Sequence, residues 1–148
     1  MLRILPLLTL VAMPASAGPA FVPRELGFVH EYAGGWEHFV GGGVAVLDCN
    51  GDAFPDLFVA GGANPARLLV NRTGAAGAPL RFVDATPPEL ALTGVTGAYP
   101  LDLDGDRTPD LAVLRAGPNR LMAATGGCRF RDASGVSPVL TTAKQPVP

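Results

Sequence analysis

Two nine-residue acidic segments with the same spacing restrict the folds that this chain can adopt. The first runs from Asp48 to Asp56 as Asp-Cys-Asn-Gly-Asp-Ala-Phe-Pro-Asp, and the second runs from Asp102 to Asp110 as Asp-Leu-Asp-Gly-Asp-Arg-Thr-Pro-Asp. Oxygen-bearing side chains occupy the first, third, fifth and ninth positions of both segments, and a glycine occupies the fourth. Because alternate residues of a tight loop project towards a shared centre, we expect these oxygens to converge.

The second segment carries enough oxygen atoms to bind a hard divalent cation. Its predicted ligands are the carboxylates of Asp102, Asp104, Asp106 and Asp110 and the backbone carbonyl of Thr108. Calcium takes six to eight such oxygens, whereas two carboxylates about 5 Å apart repel by about 3 kcal/mol at an effective dielectric of about 20. The alternative is a solvated Asp/Gly turn without metal. The presence of two copies favours metal binding.

The residues after each acidic segment indicate a strand. An EF-hand or dockerin-like loop needs an acidic residue at position twelve and a following helix. Position twelve is Val59 in the first copy and Val113 in the second. Short apolar runs, 57–60 and 111–114, follow the two segments and end at Gly-Gly or near Gly-Pro, which is typical of buried strands. The EF-hand interpretation is therefore rejected.

The similarity between the two copies extends beyond the acidic segments and predicts an all-β fold. The segment from Arg81 to Thr86 corresponds to the segment from Arg129 to Ser134, and 65–69 corresponds to 118–122. Each unit then contains four short strands, with the acidic segment between the first and the second. Four antiparallel strands repeated at this period describe a β-propeller blade. We predict a lead-in over 18–40, one blade over 41–96, a second blade over 97–140, and a tail or the start of a further blade over 141–148.

At this level of detail the chain resembles the FG-GAP/VCBS repeats of integrin-α-like propellers, especially the exported proteins allied to cartilage acidic protein and the ASPIC/UnbV type. The resemblance covers roughly 28–136. It rests on both acidic segments with their following strands and on these further pieces: Phe28-Val29-His30, Gly41-Gly42-Gly43-Val44-Ala45, Gly61-Gly62-Ala63-Asn64-Pro65, Asn119-Arg120-Leu121, and the two Phe-x-Asp-x-Thr/Ser strands.

The resemblance implies that the first segment also binds Ca2+. Its implied ligands are Asp48, Asn50, Asp52 and Asp56, with the seventh residue, Phe54, in the place of Thr108. The family usually has glycine at the sixth position, where a left-handed backbone is easy for glycine. Here the sixth residues are Ala53 and Arg107, so we expect strain in both loops. The second loop has one more carboxylate, which predicts tighter binding there unless the charge of Arg107 cancels the gain.

The resemblance also implies a larger propeller, because propellers contain at least four blades and two blades leave edges uncovered. Extending the repeat places the next acidic segment just beyond Pro148. We therefore expect this chain to be the front part of a longer propeller, as a fragment or a truncated reading frame. Association through open blade edges is a further expectation.

The first 17 residues predict export. Arg3 is followed by an apolar run and by the small-residue sequence Ala15-Ser16-Ala17, which is the pattern of a secretory signal peptide cleaved after Ala17. An uncleaved anchor is the alternative. The predicted location is the periplasm or the extracellular space. A net charge of −2 without a basic stripe gives no indication of nucleic-acid binding, and we expect no membrane insertion after cleavage.

Two cysteines and two histidines are candidates for other chemistry. Cys49 lies inside the first acidic segment and Cys128 lies in what we predict to be a later strand of the second unit. Either a disulfide or two free thiols is consistent with the sequence, since spacing does not reveal whether the residues meet. His30 and His38 match no strong metal-ligand spacing, and we interpret them as structural or surface residues.

Two classes of function are consistent with these patterns. The favoured one is an exported calcium-binding propeller segment for adhesion, recognition or scaffolding, with an unknown protein or glycan partner and no catalytic residues. The alternative is the propeller portion of a secreted, calcium-dependent, polysaccharide-active enzyme. That alternative needs a base or cation placed in a cleft, and the scattered Arg67, Arg115, Arg120 and Lys144 form no such group in the sequence.

Overall fold

The computed structural model describes residue 18 and residues 21–136 and contains two antiparallel four-stranded sheets. The first sheet consists of β1 (Val44–Leu47), β2 (Asp56–Val59), β3 (Arg67–Asn71) and β4 (Phe82–Asp84). The second consists of β5 (Val95–Leu101), β6 (Asp110–Arg115), β7 (Arg120–Gly126) and β8 (Arg129–Asp132). Short 3-10 turns occupy Trp36–His38, Pro88–Leu90 and Ser134–Val136. The order within each sheet follows the chain, which is the meander of a propeller blade.

The apolar runs after the acidic segments form strands, as predicted. β2 begins at Asp56 and β6 begins at Asp110, so the ninth residue of each acidic segment is the first residue of a strand. In the first sheet Leu47 pairs with Asp56, and in the second Leu101 pairs with Asp110. Each acidic segment is therefore the hairpin loop that joins the first two strands of a blade. No helix follows either loop, and the rejection of the EF-hand is confirmed.

The core lies between the two sheets. Strand β1 alternates exposed and buried residues, which places Ala45 and Leu47 on the inner face. Phe58 of β2 and Val113 of β6 are completely enclosed in the same cluster, which draws side chains from both sheets. A smaller cluster of Leu121, Ala123 and Ala133 covers the far face of the second sheet. Since each sheet buries one face against the other, the two blades form one packed unit.

The ends of the two sheets differ in the hairpin between the third and fourth strands. β3 ends at Asn71 and β4 begins only at Phe82, whereas β7 ends at Gly126 and β8 begins at Arg129. The additional residues of the first unit therefore lie in this hairpin, as expected from the Gly/Ala-rich stretch. Cys128 lies in the tight β7–β8 turn and not in a strand as predicted, because Gly126, Gly127 and Cys128 all have positive φ and end the β geometry.

Some predictions concern residues beyond the described range. The signal peptide at 1–17, the last residues of the second blade at 137–140 and the tail at 141–148 lie outside it. Within the described residues, the structure contains no helix with the length and apolar character needed to cross a membrane.

Candidate metal centre

The first residue of each acidic loop organises the turn with its carboxylate. In the first loop, Asp48 accepts hydrogen bonds from the amides of Gly51 (2.8 Å) and Ala53 (2.9 Å). In the second loop, Asp102 accepts from the equivalent amides of Gly105 (2.7 Å) and Arg107 (3.2 Å). The two loops share these two bonds, and in the first loop the amide of Asp52 also donates to Asp48 (3.2 Å). The sequence similarity therefore reflects a repeated local structure.

The third and fifth residues form short side-chain turns of the kind that Asp and Asn favour. In the second loop, the amide of Asp106 donates to Asp104 (3.3 Å), and the amide of Thr108 donates to Asp106 (2.7 Å). Each of these bonds engages the Oδ1 atom of its acceptor carboxylate. These bonds order the two side chains and do not use their Oδ2 atoms.

The same turns recur in the first loop with one difference. The amide of Asp52 donates to Asn50 Oδ1 (3.0 Å), and the amide of Phe54 donates to Asp52 Oδ1 (2.8 Å). The side-chain amide of Asn50 additionally donates to Asp52 Oδ2 at 2.9 Å. A neutral side chain at the third position therefore removes one source of charge repulsion from this loop and supplies a hydrogen bond in its place.

Three carboxylates of the second loop converge. Oxygen atoms of Asp102, Asp104 and Asp106 lie within 4.8 Å of one another, and all three side chains are exposed to solvent. Asp110 does not belong to this group. These atoms are hard, charged oxygens with access to water, so the donor set fits Ca2+ and not a thiolate-preferring metal.

The ninth residues have a different environment from the other predicted ligands. Asp110 is 1% exposed, and it accepts hydrogen bonds from the amides of Leu103 (2.7 Å) and Ala124 (2.6 Å). These two donors belong to the acidic loop and to β7. The carboxylate therefore ties the loop to the third strand of its own blade, so at least part of its role is structural.

Asp56 makes the equivalent connection in the first blade. It is fully buried and accepts from the amides of Cys49 (2.9 Å) and Asn71 (2.8 Å). Burial raises the pKa of Asp56 above its usual value; the two amide hydrogen bonds oppose this shift, and the nearby negative charges of Asp52 and Asp48 add to it. Whether Asp56 and Asp110 also bind metal stays a prediction.

The sixth residue of each loop adopts the left-handed backbone expected for glycine at that position. φ is 64° at Ala53 and 70° at Arg107. A side chain in this region brings Cβ close to the following carbonyl, which costs roughly 1–2 kcal/mol. Both loops therefore carry the local strain that the two departures from the family pattern predict.

The two loops are adjacent. A cavity of about 410 Å³ is lined by Asp48 and Asn50 of the first loop and by Arg107 and Thr108 of the second. Arg107 lies at the boundary between the two candidate sites. We therefore expect its positive charge to oppose cation binding in the first loop as well as in its own.

Cys49 and Cys128 form a disulfide, which settles the alternative that the sequence left open. The sulfur of Cys49 lies 3.0 Å from Asp56 Oδ2, and the sulfur of Cys128 lies 3.9 Å from it. A disulfide sulfur has no proton to donate, so these are packing contacts and not hydrogen bonds. For the same reason, the grouping of the two cysteines with Asp56 is not a thiolate metal site.

Both histidines lie in the lead-in, away from the acidic loops. His30 Nε2 lies 2.8 Å from the carbonyl of Ala60, just beyond the end of β2 that is remote from the first loop. His38 is buried, its backbone carbonyl accepts a hydrogen bond from the Tyr32 hydroxyl, and Glu37 lies 3.3 Å from its Nδ1. The His30 contact connects the lead-in to the first blade, and the contacts of His38 lie within the lead-in. Both are consistent with a structural role.

Sequence reasoning missed a second duplicated feature, at the exit of each fourth strand. Thr86 accepts a hydrogen bond from the amide of Leu68 (2.9 Å), and Ser134 accepts one from the amide of Leu121 (3.1 Å). These two hydroxyls connect the chain after β4 and β8 to the start of β3 and β7. The recurrence of Asp-Ala-Thr as Asp-Ala-Ser was the available signal.

We call Asp84 with Thr86, and Asp132 with Ser134, the two latches, because each aspartate accepts hydrogen bonds from the hydroxyl residue two positions later. The environment of both aspartates favours their ionised form. Burial raises the pKa of Asp84, but hydrogen bonds from Thr86 and the charges of Arg67 and His30 outweigh it and lower the net pKa. Hydrogen bonds from the Ser134 hydroxyl and amide are the main causes that lower the pKa of Asp132. The hydrogen bonds that Thr86 and Ser134 donate to these aspartates therefore stabilise the folded state more strongly when the aspartates are deprotonated.

Comparison with known proteins identifies the repeat. Residues 48–113 match the sequence model of a family described as an FG-GAP-like repeat. The matched segment begins at the first residue of the first acidic loop and ends within β6. It therefore includes both loops, strands β2 to β4 of the first sheet, and β5 of the second sheet. No curated protein and no solved structure matches the chain. The match supports membership of this segment in the FG-GAP-like repeat family.

Proposed function

We propose that this pair of FG-GAP-like blades binds Ca2+ in its acidic loops and serves adhesion, recognition or scaffolding outside the cytoplasm. The convergence of Asp102, Asp104 and Asp106 within 4.8 Å is the observation that carries the proposal. At that separation, each pair of carboxylates repels by about 3 kcal/mol at an effective dielectric of about 20, and by about 1 kcal/mol in bulk water. A divalent cation converts this repulsion into attraction.

The role of the cation in this proposal is structural. Bound Ca2+ would supply charge neutralisation and a rigid crosslink between the loop's side chains. The chain's own residues prepare the loop: Asp102 orders the turn through two amides, and Asp110 ties it to β7. A loop held in this way presents its exposed side chains in one conformation, which lowers the entropic cost of contact with a partner.

The proposed partner is a protein or a glycan, and the proposed setting is the periplasm or the extracellular space. The signal-peptide pattern of the first 17 residues and the resemblance of the sequence to exported ASPIC/UnbV-type proteins support this setting. Val44 and Val46 of β1 point away from the core and are 51% and 55% exposed. An apolar strand face of this kind supports the expectation that further blades or another chain pack there.

A non-enzymatic role is part of the proposal. Arg115 is one of the cations that an acid–base or lyase mechanism would draw on, yet its guanidinium donates to the backbone carbonyls of Thr93 (2.8 Å) and Pro118 (3.3 Å). These bonds hold the side chain between the segment that precedes β5 and the turn that joins β6 and β7. A calcium-dependent turnover of uronic-acid polysaccharides by the full-length protein would contradict the proposal.

Calorimetric titration of the chelator-treated protein with Ca2+ tests the binding step. We expect two sites in the unmodified chain and one in an Asp104→Asn/Asp106→Asn variant, because that variant leaves the second loop with only the carboxylates of Asp102 and Asp110. A Glu31→Gln variant removes one exposed carboxylate outside the loops and should keep both sites. If the folded, unmodified protein takes up no Ca2+, the proposal is wrong.

A further inference from the structure

The disulfide fastens the first acidic loop to the second blade. Cys49 is the second residue of the first loop, between two predicted ligands, and Cys128 lies in the β7–β8 turn, 79 residues further along the chain. The amide of Cys128 also donates to the carbonyl of Cys49 at 3.1 Å. Both half-cystines are buried. The covalent bond and the hydrogen bond together fix the backbone of this loop against a neighbouring element.

Cys49 also contacts the buried carboxylate of Asp56 at the base of the first loop. The amide of Cys49 donates to Asp56 Oδ2, and its sulfur lies 3.0 Å from that oxygen. Asp48 precedes Cys49 directly, and its carboxylate orders the turn through three amides. A displacement of Cys49 therefore moves the neighbouring predicted ligands and disturbs the Asp56 connection at the same time.

The second loop provides an internal comparison. Leu103 occupies the position of Cys49, and its amide donates to Asp110 in the equivalent bond (2.7 Å). It packs against a small cluster containing Leu121 and Ala123, with no covalent link to another element. The two loops thus share the hydrogen bonds from the fourth and sixth amides to the first carboxylate and from the second amide to the ninth, while only the first loop is crosslinked.

We propose that the Cys49–Cys128 disulfide controls the calcium affinity of the first loop and leaves that of the second loop unchanged. The proposal rests on calcium binding as the function of the loops. The reductant is a dithiol: one thiolate attacks a sulfur of the disulfide and breaks the S–S bond, and the second thiol then closes the reductant's own disulfide. The dithiol supplies two electrons and two protons, and Cys49 and Cys128 leave as thiols.

Single-loop variants separate the two sites. Asp104→Asn/Asp106→Asn retains the first loop, and Asp48→Asn/Asp52→Asn retains the second. Calorimetry with Ca2+ is performed on each full-length variant in oxidised form and after reduction by dithiothreitol. We expect the Kd of the first loop to rise about tenfold on reduction, which corresponds to about 1.4 kcal/mol, and to recover after reoxidation. The Kd of the second loop should change less than about twofold.

Amide hydrogen exchange without metal gives a second readout. Reduction should accelerate exchange at Gly51 and Ala53, whose amides donate to Asp48, and should leave Gly105 and Arg107 unaffected. A Cys49→Ser/Cys128→Ser variant repeats the comparison without reductant. If it weakens both loops equally, as an unfolded chain would, the local effect is refuted.

The outcomes distinguish the two proposals. Calcium uptake by the first loop with equal Kd in the oxidised and reduced forms, and unchanged exchange at Gly51 and Ala53, overturns the disulfide inference alone. Failure of both loops to take up Ca2+ in the oxidised, folded protein overturns the proposed function and this inference with it.

Discussion

Replacement of Asp110 by alanine should destabilise the protein even when no calcium is present. The carboxylate is 1% exposed and satisfies two backbone amides, from Leu103 and Ala124, at 2.7 and 2.6 Å. A buried amide left without an acceptor costs about 1–3 kcal/mol. Two of them give about 2–6 kcal/mol for Asp110→Ala. Since domains of this size are stable by about 5–15 kcal/mol, this is a large fraction of the total.

Two further variants separate the structural role of this carboxylate from metal binding. Asp110→Asn keeps one acceptor oxygen and places a donor opposite the other amide, so we expect a loss of about 1–3 kcal/mol. Asp104→Ala removes an exposed carboxylate that accepts only the 3.3 Å bond from Asp106 in this loop. Its cost without metal should stay near 0.5 kcal/mol, which is roughly the range for surface substitutions, while calcium affinity falls.

Urea unfolding in excess chelator, followed by far-ultraviolet circular dichroism, measures these differences. Fluorescence is a poor probe because Trp36, the single tryptophan, is 83% exposed and already in contact with water. The slope of the unfolding free energy against urea concentration should be the same for all variants, so that their unfolding midpoints can be compared. If Asp110→Ala and Asp104→Ala have the same unfolding free energy in chelator, the structural assignment of the ninth residue is wrong.

Three further predictions concern the strain, the latches and the core. Ala53→Gly and Arg107→Gly should each raise the unfolding free energy by about 0.5–1 kcal/mol. Glycine removes the penalty for a side chain in the left-handed region, about 1–2 kcal/mol, and this gain exceeds its backbone entropy cost of about 0.5–1 kcal/mol. A lower urea midpoint in either variant would contradict this prediction. The lowered pKa values of Asp84 and Asp132 in the folded state predict stabilisation that is complete above the unfolded pKa of about 3.9 and is lost as the pH falls through the folded values. An Asp84→Asn/Asp132→Asn variant should therefore show a smaller loss of unfolding free energy between about pH 4 and pH 2 than the unmodified chain, and equal losses would refute the assignment. Phe58 is 1% exposed and lies between the sheets. Phe58→Ala should lower the free energy of unfolding, measured with urea, by about 3–5 kcal/mol, and Phe58→Leu should lower it by under about 1.5 kcal/mol. Equal losses in the two variants would show that the site is not tightly packed.

Much of the candidate site follows from local sequence. The bonds from Gly51 to Asp48 and from Gly105 to Asp102 span only three residues, so the order of residues within the loop specifies them. The left-handed backbone at Ala53 and Arg107 also follows from local sequence, because the resembled family usually has glycine at the sixth position of the loop. Local spacing also predicted the strands after each loop, because an apolar run of four residues between turn signals is too short for a helix.

The role of the ninth carboxylate did not follow from spacing. In the sequence, Asp56 and Asp110 are equivalent to the other acidic residues of their loops. In the folded chain, their partners Asn71 and Ala124 belong to the third strand of each blade. That strand meets the loop only when β2 pairs with β3 and β6 pairs with β7. The loop pattern identified these residues correctly as important, and the strand pairing revealed that they support the sheet.

The sequence by itself determined the two-unit, all-β organisation and the chemical character of the acidic loops, because strand periodicity, turn residues and oxygen donors act over a few neighbouring residues. Only the tertiary structure decided which cysteine state occurs, which carboxylates are buried and which loop is crosslinked. Cys49 and Cys128 are separated by 79 residues, and whether two such distant positions meet depends on how one blade packs against the next. That packing is set by the sum of many apolar contacts across the core.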